Sequence, residues 1–282
     1  MGGIKMKRTY VSLFLLFTLL IVSIACEKKY KEIDDPGWNT QKPENRVTVM
    51  SYNVKYCSAI NSTTPDVDAV AAVIKETKPD IVVFQELDRN TTRSGKVDQL
   101  ALLSSKTNMP YTFYSKAIDY QGGESGLGIL SKYQLSDPKR YDLPRVDLGP
   151  NVYVSYRILQ TAIITVNEKK VMIANTHMEL TQENRDLQVP EINKILSNST
   201  TPVILGGDFN AIPDNKTMRT FFDFGFKKTC TTNCRTIPSN NPNREIDFIL
   251  YRPEQRFSVE SHQVIESQAS DHLPIISTLE LK

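Results

Sequence analysis

Apolar residues come along this chain in short blocks, and the blocks stop at polar residues suited to chemistry. Val47-Thr48-Val49-Met50-Ser51-Tyr52 runs into Asn53, and Ile81-Val82-Val83-Phe84 runs through Gln85 into Glu86. Val171-Met172-Ile173-Ala174 runs through Asn175 and Thr176 into His177, and Val203-Ile204-Leu205 runs through two glycines into Asp208, Phe209 and Asn210. Blocks of this length and composition predict buried strands, each with a polar residue at its exit. Gly206-Gly207 is expected to end its strand and leave the backbone open to a ligand. Two more pieces have the same character: Asp247 within Arg244-Glu245-Ile246-Asp247-Phe248-Ile249-Leu250, and Ser270-Asp271-His272 just ahead of a final strand from Ile275 to Leu279. Strands lying side by side bring their exits to one rim, where α/β architectures collect ligands.

Helical periodicity fills the gaps between strands. Pro65-Asp66 opens a predicted helix with Val67, Val70, Ile74 and Thr77 on one face, ending before Pro79. A second is predicted from about Gln182 or Pro190 to Leu196, with Ile192, Ile195 and Leu196 inward. Periodicity alone therefore gives an α/β or α+β class. The 282 residues are 40% hydrophobic and 23% charged with no repeat or low-complexity tract, so one compact catalytic-sized domain, residues 46–282, is expected after the N-terminal segment.

That segment reads as a processing signal. Lys5, Lys7 and Arg8 precede an uncharged apolar run from Val11 to Ala25 that stops at Cys26, a tripartite secretory pattern too short to favour a spanning helix. Ser23-Ile24-Ala25-Cys26 resembles a bacterial lipobox, departing from it at Ser23, where an aliphatic residue is usual. The resemblance implies a lipoprotein signal peptide over residues 1–25, lipidation of Cys26, and an exported, membrane-anchored protein of the periplasm or cell surface. Residues 26–45 are polar, carry Asp35-Pro36-Gly37 and Lys42-Pro43 as breakers, and read as a tether.

Export changes the charge balance. The chain holds 34 basic and 32 acidic residues, but three basic and no acidic ones precede Cys26, so the remainder carries a formal net charge of −1. Proteins that live on phosphate-backbone electrostatics usually carry a basic excess, so bulk duplex-DNA cleavage ranks below smaller phosphoesters or lipid headgroups. Outside the cytoplasm, Cys230 and Cys234 suit a disulfide around a small loop, with Cys57 left as a packed thiol. A zinc site there is disfavoured, since no histidine is near in sequence; His262 reads as structural or exposed.

The residue types suit phosphoester hydrolysis, which needs a hard cation, a positioned water and donors for the phosphoryl oxygens. Carboxylate and amide oxygens select Mg2+ or Mn2+, making Glu86 the leading metal ligand, with support from the amide oxygen of Asn53. The ordered series Tyr52-Asn53, Gln85-Glu86, Asn175-Thr176-His177, Gly207-Asp208-Phe209-Asn210, Ile246-Asp247-Phe248-Ile249 and Ser270-Asp271-His272 resembles the endonuclease/exonuclease/phosphatase superfamily, metal-dependent phosphoesterases with the deoxyribonuclease I fold. It implies a four-layer sandwich of two central mixed β-sheets flanked by helices. It also implies that Asp271 completes the metal shell, that Asp247 orients His272, that Asp208 orients or deprotonates the attacking water, and that Asn210 and His177 donate to non-bridging oxygens. Arg157 is a candidate phosphate clamp, and Gly126-Leu127-Gly128-Ile129 reads as core packing beside the site. Lys55 departs from the abasic-site nucleases, which carry an acidic residue there. Tyrosines in two predicted loops, Met109 to Tyr120 and Arg140 to Tyr156, are expected to rim the cleft. The expected function is a lipid-anchored, metal-dependent phosphoesterase acting on a lipid headgroup, small diester or nucleic acid, with no protein partner implied. The alternatives are an extracellular nuclease and a catalytically inactive surface-binding lipoprotein.

Overall fold

Alternation along the strands decides the layering. In β1 (Arg46–Asn53), Val47 and Val49 point to one face and Met50 and Tyr52 to the other, and all four are fully buried. A strand buried on both faces needs cover on both, which a second sheet and a helical layer supply. The computed structural model describes residues 45–282 and contains twelve strands and four α-helices among them. The segments expected to be a signal peptide and a tether, Cys26 included, lie outside the described residues except for Asn45. No described helix is long and apolar enough to cross a membrane.

The first sheet is built from β1, β2 (Ile81–Arg89), β3 (Tyr111–Tyr120), β4 (Gly123–Ser131), β11 (Phe257–Val264) and β12 (Ile275–Leu281), in the order β11-β12-β1-β2-β4-β3. The second holds β5 (Ser136–Asp142), β6 (Ile158–Val166), β7 (Lys169–His177), β8 (Val203–Asp208), β9 (Lys227–Lys228) and β10 (Asp247–Arg252), in the order β5-β6-β7-β8-β10-β9. Both are mixed, with β1 parallel to β2 and β7 parallel to β8. Helices α1 (Val67–Thr77) and α2 (Gln99–Thr107) cover the first sheet through Val70, Ile74, Leu100 and Leu103, against Met50, Val82 and Phe84. Helices α3 (Gln182–Ser197) and α4 (Lys216–Asp223) cover the second through Val189, Ile192, Met218 and Phe221, against Leu205, Phe209 and Phe248. The middle layer is aliphatic, with Val49, Val83, Ile164, Ile173, Ile204 and Ile249 among its members. This is the four-layer sandwich.

The first predicted helix appears with Asp66 as its N-cap, and the second begins at Gln182, carrying Pro190 inside it. Two expectations change. Gly206 and Gly207 lie inside β8, fully buried, instead of opening the backbone to a ligand. A Cβ at Gly206 would stand 2.6 Å from Val83 Cγ2 of the opposite sheet, and one at Gly207 2.2 Å from Thr176 O, so the glycines permit close packing. The tyrosine-bearing segment Met109 to Tyr120 is mostly the edge strand β3, and Phe113 and Tyr114 pack against the core; the rim expected of it shrinks to Tyr120.

Asn175 holds the two sheets together near the site. Its Nδ2 donates to Phe84 O at 2.9 Å, Gly128 O at 3.1 Å and Gln160 Oε1 at 3.2 Å, while its Oδ1 accepts from Gln85 Nε2 at 2.8 Å. Asn175→Leu keeps the branched shape but strands these buried partners at about 1–3 kcal/mol each, so we expect a loss of about 3–5 kcal/mol. Urea unfolding checks it: the midpoint falls with an unchanged m-value, and a shift worth under about 1 kcal/mol refutes the bracing role.

The Cys230–Cys234 disulfide is formed, and Cys57 is a buried free thiol. His262, on β11, meets the segment after β9: Thr229 Oγ1 lies 2.8 Å from its Nδ1. Burial, helped by the Lys228 charge, holds the imidazole down at about 4. Because the folded value lies below the unfolded one near 6.5, this ring's contribution to stability is intact above pH 6.5 and is lost as pH falls toward 4. His262→Asn therefore removes about 2–3 kcal/mol of acid destabilisation between pH 7 and 4, allowing for solvent around the half-buried ring. Parallel wild-type and variant slopes in pH-dependent denaturant melts count against it.

Candidate active site

Strand register sets the site. Asp208, the last residue of β8, pairs with His177 at the end of β7 on one side and with Asp247 at the start of β10 on the other. From the opposite sheet come Asn53 at the end of β1, Glu86 in β2, and the loop Ser270-Asp271-His272 ahead of β12. The sheets approach closely at Gly206, and this lets Asn53 Nδ2 reach Asp208 Oδ2 at 3.0 Å across the gap. The same nitrogen donates to Glu86 Oε1 at 3.1 Å. Asn53 Oδ1 accepts from Lys55 N at 3.1 Å, so the amide turns its nitrogen toward the two carboxylates and its oxygen away, a different orientation from the expected metal support.

Glu86 is aimed by backbone strain. The register between β2 and β4 slips between Phe84 and Leu87, and Glu86 takes φ 58°, a conformation unfavourable for a residue with a Cβ. Regular alternation would point position 86 at the helix-covered side; the bulge re-aims it into the cleft. Asn210 also has positive φ, 48°, and its backbone N–H donates to Asp208 Oδ1 at 2.9 Å while its Nδ2 donates to Met178 O.

Behind Asp208 lies a hydrogen-bonded chain. His272 Nδ1 is 2.8 Å from Asp247 Oδ2, which also accepts from Thr236 Oγ1, and His272 Nε2 is 3.8 Å from Asp208 Oδ2. Asp247 Oδ1 is buried without a partner. His177 Nε2 is 3.4 Å from Asp208 Oδ2. Burial, with the Asp247 charge behind it, pushes the Asp208 carboxyl up to about 7, despite the charge of His272. Burial works against charge on His272, but Asp247, Asp208 and Asp271 outweigh it and raise the imidazole to about 10. His177 goes the other way: burial and the nearby Arg157 and His272 charges hold it well below its usual value, so it is neutral.

The predicted residues come together on one rim, and Asn53, Glu86, His177, Asp208, Asn210, Asp247, Asp271 and His272 line or directly support it. Arg157 faces the same cleft, its Nε 3.7 Å from the fully buried Glu179 Oε2. The cleft beside them has a volume of about 250 Å³, and its walls include Glu86, Arg93, Tyr120, Tyr153, Tyr156, Arg157 and His177. Lys55 Nζ lies 4.0 Å from Asp271 Oδ2 and donates to Ala59 O and Ile60 O.

Two donor sets are available to a cation. Asp208, Asp247 and His272 present atoms within 4.8 Å of one another. His272, held protonated, has no free lone pair to give, so this trio suits proton handling better than ligation. Glu86 and Asp271 offer carboxylate oxygens at the same rim: Glu86 shares Asn53 Nδ2 with Asp208, and Asp271 lies beside Lys55 and adds to the negative charge acting on His272, so that with Asp208 and Asp247 the acids number four against the cations His272, Lys55 and the Glu179-paired Arg157. An all-oxygen donor set with surplus negative charge fits a hard divalent ion.

Two functional positions carry no signal of their own in the sequence, and a third was passed over. Thr236 sits in a polar run of Thr, Asn, Pro and Ser that reads only as loop. Arg93 lines the cleft only because Asp88 takes it bidentately, at 2.7 and 2.9 Å, between the rings of Tyr56 and Tyr120. Glu179, two residues past His177, was legible as another acid at a strand exit.

Comparison with known proteins agrees with the geometry. A family model described as Endonuclease/Exonuclease/phosphatase family matches residues 50–272. No curated protein matches the chain. Among solved structures, an endonuclease/exonuclease/phosphatase from Bacteroides vulgatus superposes with TM-score 0.70 at 22% identity, covering 84% of this chain and 99% of that one. A mannosyl-6-phosphatase from Bacteroides thetaiotaomicron gives 0.66 at 18% identity, covering 83% and 99%. The human Nocturnin catalytic domain with bound sulfate gives 0.67 at 17% identity, covering 84% and 94%.

Proposed function

We propose that this chain, which belongs to the endonuclease/exonuclease/phosphatase family, is an exported, Cys26-lipidated, magnesium-dependent phosphoesterase acting on small or headgroup-sized esters. Members of the family are hydrolases of phosphoester bonds and generally depend on a divalent metal. The observation that carries catalysis is the convergence on Asp208 Oδ2 of Asn53, His177 and His272, with Asp247 behind His272 and Glu86 beside Asn53. A binding module has no use for a buried carboxyl that ionises near neutrality, and this argues against an inactive protein.

Glu86 and Asp271 would hold the ion, which when bound supplies neutralisation of phosphoryl charge. Asp208, poised near 7 and fixed by Asn53 and the Asn210 backbone, takes the proton from the attacking water. His272, cationic through Asp247, is the wrong species for a base and serves as donor to the charged transition state. Neutral His177 and the free N–H of Asn210 donate to non-bridging oxygens, and Arg157 adds a fixed charge at the cleft wall.

The near-neutral charge beyond Cys26 and the small tyrosine-walled cleft favour sugar phosphates or lipid headgroups over duplex DNA. The mannosyl-6-phosphatase among the structural neighbours keeps sugar phosphates at the head of that group. A phosphoester panel containing sugar phosphates, phospholipid diesters, nucleotides and plasmid DNA, run with and without magnesium, tests the reading. Turnover of the small esters only with metal is the expected result. Plasmid nicking as the dominant activity replaces the substrate assignment with a nuclease, and no turnover of any ester removes the enzyme reading.

A further inference from the structure

A second group of metal-grade side chains lies away from the cleft. Cys230 and Cys234 are buried at the end of the segment that follows β9, the edge of one sheet, and His262 stands on β11, the edge of the other. The two sulfurs and a ring nitrogen of His262 all lie within 4.8 Å of one another. Sequence spacing hides this trio, because His262 is 28 positions beyond Cys234 and reaches it only through the packing of the two sheet edges.

The histidine is arranged as metal-binding histidines usually are. Thr229 Oγ1 donates to Ile249 O at 3.2 Å, so at 2.8 Å from His262 Nδ1 it acts as acceptor and the proton resides on Nδ1. That leaves the lone pair on Nε2, an atom that is buried and has no hydrogen-bond partner. An imidazole whose one nitrogen is pinned by a hydroxyl and whose other is idle and out of water has its tautomer and ring orientation set for ligation. Burial and Lys228 keep the ring neutral at ordinary pH. Thr231, Thr232 and Asn233 between the cysteines are exposed, giving an ion an entry path and room for a solvent ligand.

We propose that Cys230, Cys234 and His262 form a binding site for a thiophilic divalent cation of the zinc type, available once the disulfide is reduced. A dithiol reductant supplies two electrons and two protons, becoming a disulfide itself while Cys230 and Cys234 become thiols. The incoming ion then displaces both thiol protons and binds two thiolates and the imidazole, with water in the fourth position. Soft sulfur donors separate this site from the all-oxygen set of Glu86 and Asp271, so the two select different metals. The loop also leads to the catalytic chain: the Cys234 backbone N–H bonds the Glu245 carboxylate, and Thr236 donates to Asp247.

Cobalt reads the site directly, because a thiolate-to-cobalt charge-transfer band arises from sulfur ligation and not from carboxylates. The full chain is titrated with Co2+ anaerobically, before and after reduction with a dithiol that is then removed. One equivalent is expected to produce the band in the reduced protein only, with zinc displacing it. Cys230→Ser/Cys234→Ser is expected to abolish the band, and His262→Asn to weaken binding by at least about tenfold. Near-UV circular dichroism confirms that each variant is folded. A band that persists in the double serine variant belongs to Cys26 or Cys57 and overturns the proposal, as does equal affinity in His262→Asn or no band in reduced wild type.

Discussion

Asp208→Asn is expected to lower kcat by about 10³- to 10⁴-fold while KM moves by less than about tenfold. The asparagine keeps the shape of the side chain, and its single oxygen can still accept from the Asn210 backbone N–H, giving up only the Asn53 hydrogen bond to the other oxygen, so the substrate contacts proposed for His177, Arg157 and the tyrosines are left in place. It cannot take a proton. It also withdraws one of the negative charges that hold His272 cationic, so the donor weakens together with the base. A second readout separates this from misfolding. In the wild type the Asp208 carboxyl sits near 7 in the fold against 3.8 unfolded, so its contribution favours the fold at low pH and is lost as pH rises from 3.8 through 7. The metal-free Asn variant escapes that loss and should be more stable than metal-free wild type above pH 7, by up to a few kcal/mol. Single-turnover kinetics and denaturant melts at pH 8 measure the two effects. A kcat within tenfold of wild type would falsify the role given to Asp208.

The features legible in the sequence were those in which one strand carries its own message. Asn53, His177 and Asp208 each close an apolar block, and the block fixes where the side chain emerges. Their convergence rests on register between sheets, which local pattern does not encode. The glycines show the difference: Gly206 was visible as a glycine at a strand end, but its reason is Val83 on another sheet. Helices α2 and α4 escaped the periodicity reading because they are short and their inward faces are small, with Leu100 and Leu103 in one and Met218 and Phe221 in the other. The orientation of Asn53 was equally out of reach, since the backbone N–H of Lys55 decides which end of the amide faces the carboxylates. His262 makes the strongest case: nothing near it in the chain marks it, and its neighbours come from the far edge of the other sheet.

Glu86 gives the second large effect. Removing the divalent ion with a chelator is expected to reduce turnover by about 10³-fold or more, the equivalent of several kcal/mol of lost charge stabilisation. Glu86→Gln should reproduce the loss with magnesium present. The structural argument is the strained backbone at φ 58° in a bulge of β2: the fold gives up regular pairing with β4 to turn this carboxylate toward Asn53 and into the cleft. Stability supplies the independent check. Magnesium at about 100 times its Kd adds about 2.7 kcal/mol to the folded state, a rise in Tm of roughly 5–10 °C for a domain of this size. In Glu86→Gln that rise should vanish, while the metal-free protein melts no lower than wild type, since one carboxylate fewer faces Asp208 across Asn53. A variant that retains the full magnesium-induced shift places the ion elsewhere, on the Asp208, Asp247 and His272 trio, and would make His272 a ligand instead of a donor.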